Sequence, residues 1–216
     1  MTTHIITYRP LAISEIPDLI DFDNVYLKDV MENMGIPHQQ LPPSLTIDEV
    51  KESLAKKNDV EWIFFNDVLA GYLWLEKQND CIYIAGVAIK PKFYGIGLIQ
   101  NVLNTAEQKA KKNNLPACRL AAIPINGRAV NAYLKYGYKI ISCVEALFGV
   151  EYPESFRFIM EKSLLSKGTG PFTEEYEICC SDYKKLKQAT DNAYIGIRLI
   201  GSKNQNNLEN TICFVK

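Results

Sequence analysis

The sequence has little histidine and almost no net charge, and each shortage excludes a class of function. Only two histidines, His4 and His38, occur among 216 residues, and neither has ligand spacing to a cysteine. We therefore expect neither a metal site nor a histidine-based catalytic triad. The formal net charge of -1 leaves no basic surface for nucleic acid or for an anionic membrane.

Long apolar runs and cysteine motifs are also absent. No apolar stretch approaches the roughly 18 residues of a membrane span, and the N-terminus MTTHIITYRP lacks the pattern of a signal peptide. The six cysteines form no C-x-x-C pair, and buried free thiols are typical of a reducing compartment. We expect a cytoplasmic protein.

The residues that are present indicate a globular protein with alternating strands and helices. The chain is 47% hydrophobic and 23% charged, the usual balance for a sizeable core. After a first strand, apolar residues recur at helical spacing behind Ser14, a candidate N-cap. Thr46 and Glu49 then have the spacing of a capping box.

Three strand-like runs follow, VEWIFFN, LAGYLWLEKQ and CIYIAGVAIK, and their short links predict antiparallel hairpins. Residues Ile82 to Ile89 are apolar throughout, which is expected of a strand buried on both faces. Gly86 interrupts this run, and a glycine inside a strand indicates a bulge or a close backbone approach.

The stretch FYGIGLIQ leads from this strand into an amphipathic helix. Two glycines at this transition suit either a phosphate, which needs close backbone approach, or a plain strand-to-helix turn. A second strand, CRLAAIPI, then precedes the helix NGRAVNAYLKYG, which is predicted to end at Gly137.

A composition break at SKGTGP divides the chain. We predict a main domain over 1–165 and an extension of a strand, a helix and a hairpin over 172–216. Forty-odd residues are marginal as an independent domain. The extension is therefore expected to dock on the main body or to contact a second subunit in a homodimer.

The order strand, glycine loop, helix, strand, and then Asn126, Ala129, Tyr133, Gly137 and Tyr138, resembles the GNAT superfamily of N-acetyltransferases. The resemblance covers residues 80–160 well, and residues 5–80 agree in the order of elements. It implies an α+β fold, in which helices flank a mixed, mostly antiparallel central sheet. The C-terminal β-α-β-β piece would be an addition to that fold.

The resemblance also implies the site. The glycine loop would bind the pyrophosphate of acetyl-CoA, the co-substrate, and the buried strand would bind its pantetheine arm. Tyr133 would be the catalytic residue that protonates the leaving thiolate. The residues implied in cofactor binding are Val87, Ala88, Ile89, Gly95, Ile96, Gly97, Leu98, Ile99, Gln100 and Asn126.

The family's loop pattern, Gln or Arg followed three residues later by Gly and then by Gly or Ala, fits here in two registers. With Lys92 first, Gly95 and Gly97 are the motif glycines, but the loop after Pro91 is two residues short. The ungapped register has Tyr94 first, Gly97 as the motif glycine and Ile99 last. We prefer it because it keeps the family's distances to Pro91 and Asn126.

The general base stays open. Tyr83 and Ala121 occupy the positions where many family members carry a glutamate, and Glu76 or a water chain are alternatives. The segment between Ser14 and Asn33 contains one lysine, Lys28, and six acidic residues: Glu15, Asp18, Asp21, Asp23, Asp29 and Glu32. This segment could attract a cationic amine or could be an ordinary solvated helix face.

The leading hypothesis is an acetyl-CoA-dependent N-acetyltransferase that acts on a primary amine of a small molecule or a peptide. The amine would attack the thioester directly in a ternary complex. The alternative is a GNAT-fold module that binds CoA or recruits a partner without catalysis. The sequence does not identify the acceptor.

Overall fold

A computed structural model of the chain describes residues 4–149, 151, 154–165, 174–201 and 210–216. Over these residues the chain forms two compact units. The first contains the chain up to Val30 and Pro43–Leu115, and the second contains Met31–Pro42 and the chain from Pro116 onward. The predicted boundary between 1–165 and 172–216 falls at 166–171, outside the described residues.

The first unit contains four antiparallel strands in the order β1-β2-β3-β4. They are β1 (Ile6–Pro10), β2 (Asp59–Phe65), β3 (Val68–Lys77) and β4 (Cys81–Ile89). Asn66 and Asp67 turn the chain between β2 and β3 with φ of 47° and 62°, values that suit a tight hairpin turn. The predicted antiparallel hairpins are confirmed.

Helices accompany these strands. They are α1 (Ile16–Asp23), which continues into a π-helical segment (Asn24–Asp29), then α3 (Ile47–Ala55) and α4 (Leu98–Lys112). The short helix α2 (Val30–Asn33) follows the π-helical segment and belongs from Met31 onward to the second unit. One core cluster joins apolar residues of α1, α3 and the strands: Leu11, Ile16, Leu19, Phe22, Val50, Val60, Trp62, Tyr72, Trp74 and Ala88. This packing holds α1 and α3 on the strands. No helix in the described ranges is long and apolar enough to cross a membrane.

Two predicted helix starts have different outcomes. The Thr46 hydroxyl accepts the Glu49 N–H at 3.2 Å, and the Glu49 carboxylate accepts the Thr46 N–H at 2.8 Å, so the capping box is confirmed. The prediction that Ser14 caps α1 is wrong. A single 3₁₀ turn (Ile13–Glu15) precedes α1, and the Glu15 carboxylate accepts the Ala12 N–H at 2.9 Å instead.

The second unit contains six strands in the order β5-β7-β6-β9-β10-β8, each antiparallel to its neighbour. They are β5 (Ala117–Ala122), β6 (Lys139–Val144), β7 (Arg157–Ser163), β8 (Glu175–Cys179), β9 (Ile195–Ile200) and β10 (Thr211–Val215). The helices of this unit are α5 (Gly127–Lys135) and α6 (Tyr183–Asp191). This architecture confirms the α+β fold class with its C-terminal β-α-β-β piece.

The C-terminal strands join the rest of the second unit through β9. Ile140 on β6 faces Gly196 on β9 across the strand pair. A Cβ at position 196 would lie 2.9 Å from side-chain atoms of both Ile140 and Ile212, so only glycine permits this close approach. Leu199, Ile212 and Phe214 are buried as a result.

Candidate active site

The glycine loop forms a tight turn in the first unit directly before α4. Gly95 and Gly97 have φ of 79° and 88°, the left-handed region in which a side chain is strained. Gly97 is the N-cap of α4 and Leu98 is its first residue. Both glycines therefore adopt a backbone conformation that other residues rarely adopt, which explains why two of them occur in the short loop before α4.

The N-terminus of α4 is open. No side chain caps it, so the N–H groups of its first turn donate no hydrogen bond to a capping side chain. A Cβ built on Gly95 or Gly97 would meet no atom within 4 Å, and residues 94–97 are exposed. Unpaired N–H groups and the helix dipole together favour an anion at such a position. The residues present therefore fit the diphosphate of a nucleotide.

Strand β4 carries a bulge where the sequence has Gly86. The pairing with β3 shifts by one residue between Trp74, which faces Gly86, and Leu75, which faces Ile84. Ala85 is left between them and is exposed, and Gly86 is partly exposed. The prediction that this run is buried on both faces is therefore wrong at the bulge, because the extra residue turns the backbone outward.

Residues Val87, Ala88 and Ile89 continue β4 beyond the bulge and pair with Leu73, Tyr72 and Gly71. Val87 is partly exposed, whereas Ala88 and Ile89 are buried. The structure thus brings the predicted strand residues and the glycine loop together in the first unit. They lie on either side of a short 3₁₀ turn (Pro91–Phe93).

The other two predicted site residues lie in the second unit, on α5. Asn126 is the N-cap of this helix and accepts the Ala129 N–H at 3.2 Å. Tyr133 is 8% exposed, and burial raises the pKa of its phenol to about 12. In the described part of the chain its hydroxyl makes no hydrogen bond that would compete with a ligand.

Sequence reasoning missed one buried polar pair in the first unit. Asp23 is 2% exposed, Tyr72 is 1% exposed, and the Tyr72 hydroxyl donates a hydrogen bond to the Asp23 carboxylate. Asp23 was assigned to the acidic segment. Its position four residues after Leu19, on the apolar face of the helix, was the signal that could have placed it inside.

The acidic segment is less uniform than its sequence indicates. Glu15 binds Arg9 at 2.8 Å and Glu32 contacts His38 at 3.2 Å. Within the acidic segment, Asp18, Asp21 and Asp29 are the exposed carboxylates that belong to the first unit. A smaller acidic surface therefore remains than the six residues predict.

Glu76, an alternative base, lies at the end of β3 opposite Tyr83. It lines an open cleft of about 600 Å³ between α3 and β3, which Trp74 and Lys56 also line. Among the described residues no group of three or more His, Cys, Asp or Glu could hold a metal ion.

Comparison with known proteins agrees with this arrangement. A model of the "Acetyltransferase (GNAT) family" matches residues 27–138. No curated protein matches. Three solved structures with related folds are Ard1 from Thermoplasma volcanium, Naa50 from Arabidopsis thaliana in complex with the bisubstrate analogue CoA-Ac-MVNAL, and the PaiA N-acetyltransferase from Thermoplasma acidophilum in complex with coenzyme A.

These structures share the fold at low identity. The TM-scores are 0.58 for Ard1, 0.56 for Naa50 and 0.54 for PaiA, at 15%, 17% and 20% identity. Each alignment covers 74% of this chain and 99% of the other chain. The family match extends over more than half of the chain, from within the π-helical segment to three residues beyond α5. The chain therefore belongs to the acetyltransferase (GNAT) family.

Proposed function

We propose that the protein transfers the acetyl group of acetyl-CoA to a primary amine of a small molecule or a peptide, and that the amine attacks the thioester directly in a ternary complex. The uncapped N-terminus of α4 behind Gly95 and Gly97 carries this proposal. It offers backbone N–H groups to a diphosphate, so few basic side chains are needed there, which is compatible with a net charge of -1.

In this proposal the site residues have separate roles. The N–H groups of Gly97 to Gln100, at the start of α4, bind the pyrophosphate. The backbone of Val87 to Ile89 binds the pantetheine arm and stabilises the negative charge that develops on the thioester oxygen. Asn126 fixes the start of α5, and Tyr133 donates its proton to the leaving sulfur. The raised pKa of Tyr133 keeps this proton in place at neutral pH.

Direct attack is favoured over a cysteine acyl-enzyme because the buried thiols are poor nucleophiles. Burial raises the pKa of Cys143 and of Cys180 to about 12. The thiolate is the reactive form of cysteine, so a thiol with this pKa reacts slowly at neutral pH. All six cysteines are free, which agrees with the cytoplasmic location that we propose.

A cationic or partly neutral amine suits the acceptor side. Asp18, Asp21 and Asp29 leave negative charge on the exposed face of α1 and the π-helical segment, and such charge attracts amines. The structure of Naa50 contains an acetylated peptide joined to CoA, so peptides with a free N-terminus belong in the amine panel beside polyamines and amino acids.

The second candidate function is a GNAT-fold module that binds CoA or a partner without catalysis. It is favoured by Tyr94 and Ile99, which replace the charged residue and the small residue of the family's loop. Tyr94 is 37% exposed and Ile99 is partly buried, and neither side chain carries a charge at neutral pH. The retained Asn126 and Tyr133 oppose this candidate.

Two measurements separate the candidates. Calorimetry with acetyl-CoA tests binding, and CoA release with the amine panel tests turnover. Binding with turnover of at least one amine supports the transferase. Binding without turnover of any amine supports a module that binds CoA, and no heat together with no thermal shift contradicts the transferase and leaves only a module that recruits a partner.

A homodimer through residues 172–216 stays a prediction. Of the apolar residues on its hairpin, Leu199, Ile212 and Phe214 are buried within the second unit of a single chain, and Ile195 and Ile197 are partly buried. Light scattering tests the dimer, because a monomer has a mass of 24.5 kDa and a dimer has twice that mass.

A further inference from the structure

The burial of the Asp23 carboxylate is unfavourable for the stability of the fold. Burying a carboxylate is unfavourable unless hydrogen bonds compensate for the lost water, yet α1, whose Leu19 and Phe22 belong to the core cluster, ends at Asp23 with 2% exposure. Its hydrogen-bond donor is the Tyr72 hydroxyl on β3. An apolar residue on this face would stabilise the fold more simply, so the pair calls for a role beyond packing.

Gly86 places the Tyr72 hydroxyl against the bulge of β4. A Cβ at position 86 would lie 3.0 Å from the Tyr72 Cε2 atom and 3.1 Å from its hydroxyl oxygen. Any other residue at this position would push the ring away. Gly86 is partly exposed and Ala85 beside it is exposed, so the buried hydroxyl lies against backbone that solvent reaches.

The helix beside the pair is irregular at the same place. The α-helical hydrogen bonding of α1 ends at Asp23, and a π-helical segment of six residues (Asn24–Asp29) begins there. This segment packs against β4. π-Helical turns are rare and occur frequently at functional sites. The buried pair, the glycine and the irregular helix therefore coincide at one point of the first unit.

We propose that Tyr72 and Asp23 are the proton-accepting pair of this acetyltransferase: a water at the bulge of β4 passes the proton that the acceptor amine loses to the Tyr72 oxygen, and the Tyr72 hydroxyl proton passes to the Asp23 carboxylate. The inference rests on the proposed acetyl transfer at β4. It assigns the general base, a role that the residues at positions 76, 83 and 121 did not settle.

The step balances. The nitrogen lone pair forms the C–N bond, the C–S bond breaks, and its electron pair leaves on sulfur, which takes the Tyr133 proton. The amine proton goes through the water to Tyr72 as the Tyr72 proton goes to Asp23. Water then accepts the proton from Asp23 and returns one to Tyr133, so the products are an amide and a free thiol.

The charges around Asp23 favour a proton acceptor. Burial raises the pKa of Asp23, and the Tyr72 hydrogen bond and the Lys28 ammonium oppose the shift only in part. From α3 the buried side chains are Val50 and Ser53, which carry no charge. A carboxylate with a raised pKa accepts a proton more readily.

Two further charged groups lie on elements that pack near this face. The Lys90 ammonium, one residue beyond β4, lies 5.4 Å from the centre of the Phe22 ring and 5.3 Å from that of Tyr26. Glu15, just before α1, is engaged by Arg9 at 2.8 Å. The acetyltransferase activity should fall as the pH falls through the raised pKa of Asp23, because a carboxyl that is already protonated cannot take up the proton from Tyr72.

The test compares Asp23→Asn and Tyr72→Phe with Tyr8→Phe. Tyr8 is a matched control, since it is a partly buried strand tyrosine of the same unit whose hydroxyl donates to Asn101 at 2.6 Å. Asp23→Asn keeps the volume and the acceptor oxygen for Tyr72, so it should fold even if Tyr72→Phe does not. The assay uses saturating acetyl-CoA and the amine that releases CoA fastest in the panel.

Both site variants are expected to lose about 10²-fold or more in kcat, with acetyl-CoA affinity unchanged. The double variant should lose no more than the worse single variant, and Asp23→Asn should abolish the acid limb of the kcat–pH profile. A kcat within threefold of the parent, or an equal loss in Tyr8→Phe, overturns the pair. A parent protein that fails to bind acetyl-CoA overturns the proposed function itself, and the pair with it.

Discussion

Asn126 accepts the backbone N–H of Ala129 at 3.2 Å, and this hydrogen bond fixes the first turn of the helix that carries Tyr133. The ring of Tyr133 lies 6.3 Å from that of Tyr138, which follows the same helix. The start of α5, its buried tyrosine and the strand after it are therefore held as one piece. The family's conspicuous asparagine has a structural role here whether or not it also contacts CoA.

Tyr133→Phe should lower kcat by about 10²–10⁴-fold, because it removes the proton donor and leaves the packing of the ring intact. Acetyl-CoA affinity should barely change, since the hydroxyl acts mainly as charge develops on sulfur. Steady-state kinetics and calorimetry measure the two quantities. Tyr138→Phe, at a tyrosine that is 1% exposed, is the buried control. More than about a third of parental turnover in Tyr133→Phe would sink the assignment.

Gly97→Val should abolish acetyl-CoA binding, and Gly95→Val should retain it. Both positions have a positive φ and free space for a Cβ, so each substitution should cost the fold a similar amount, about 1–3 kcal/mol. A difference in acetyl-CoA affinity between the two variants would therefore come from contact with the ligand and not from backbone strain. Calorimetry with thermal melting measures both effects. The opposite result, loss in Gly95→Val alone, would establish the gapped register.

Asn126→Ala should lower stability by about 1 kcal/mol, the usual cost of a lost helix cap, and should also weaken acetyl-CoA binding. Asn126→Ser keeps a capping oxygen, so it should restore the stability but not the acetyl-CoA affinity. Asp182→Ala removes the comparable cap of α6, where Asp182 accepts the Lys185 N–H at 3.2 Å. If all three variants bind acetyl-CoA like the parent, Asn126 has no role in the cofactor site.

Glu15→Gln should lower stability slightly above pH 5, by less than about 1 kcal/mol because the ion pair with Arg9 is partly exposed. Hydrogen bonds from Arg9 lower the pKa of Glu15 to about 2. The stabilisation is therefore present above the unfolded pKa and is lost as the pH falls toward 2. Denaturant melts from pH 7 to pH 3 measure the difference, which should shrink as the pH falls. A difference that is constant with pH would contradict the assignment.

Truncation after Ser166 should cause aggregation or lower the melting temperature. It removes β9 from Ile140, which is completely buried, and it removes the Thr190 hydroxyl that accepts the Cys143 N–H at 3.0 Å. Both losses uncover β6. An unpaired strand edge with apolar residues associates readily with other chains, so the truncated protein should aggregate. Light scattering and thermal melting are the measurements. A soluble truncated protein with the parental melting temperature would refute the prediction.

The sequence by itself determined the order of the elements and the positions of the glycine turn. Hairpin links, helical spacing and the capping box at Thr46 act over a few residues, so they are legible in the chain. The same is true of Gly97 before α4 and of Asn126 before α5, because a turn and a cap are local structures. The fold class and the family follow from these features.

Only the tertiary structure decided which side chains meet across the sheet. Asp23 and Tyr72 are 49 positions apart, and Tyr72 is placed against Gly86 by the pairing of β3 with β4. A bulge of one residue at Ala85 set that register and opened the strand that the apolar run predicted as fully buried. Gly196 likewise has its reason in Ile140 and Ile212. Contacts between distant parts of the chain depend on register and packing, and no local pattern in the sequence encodes them.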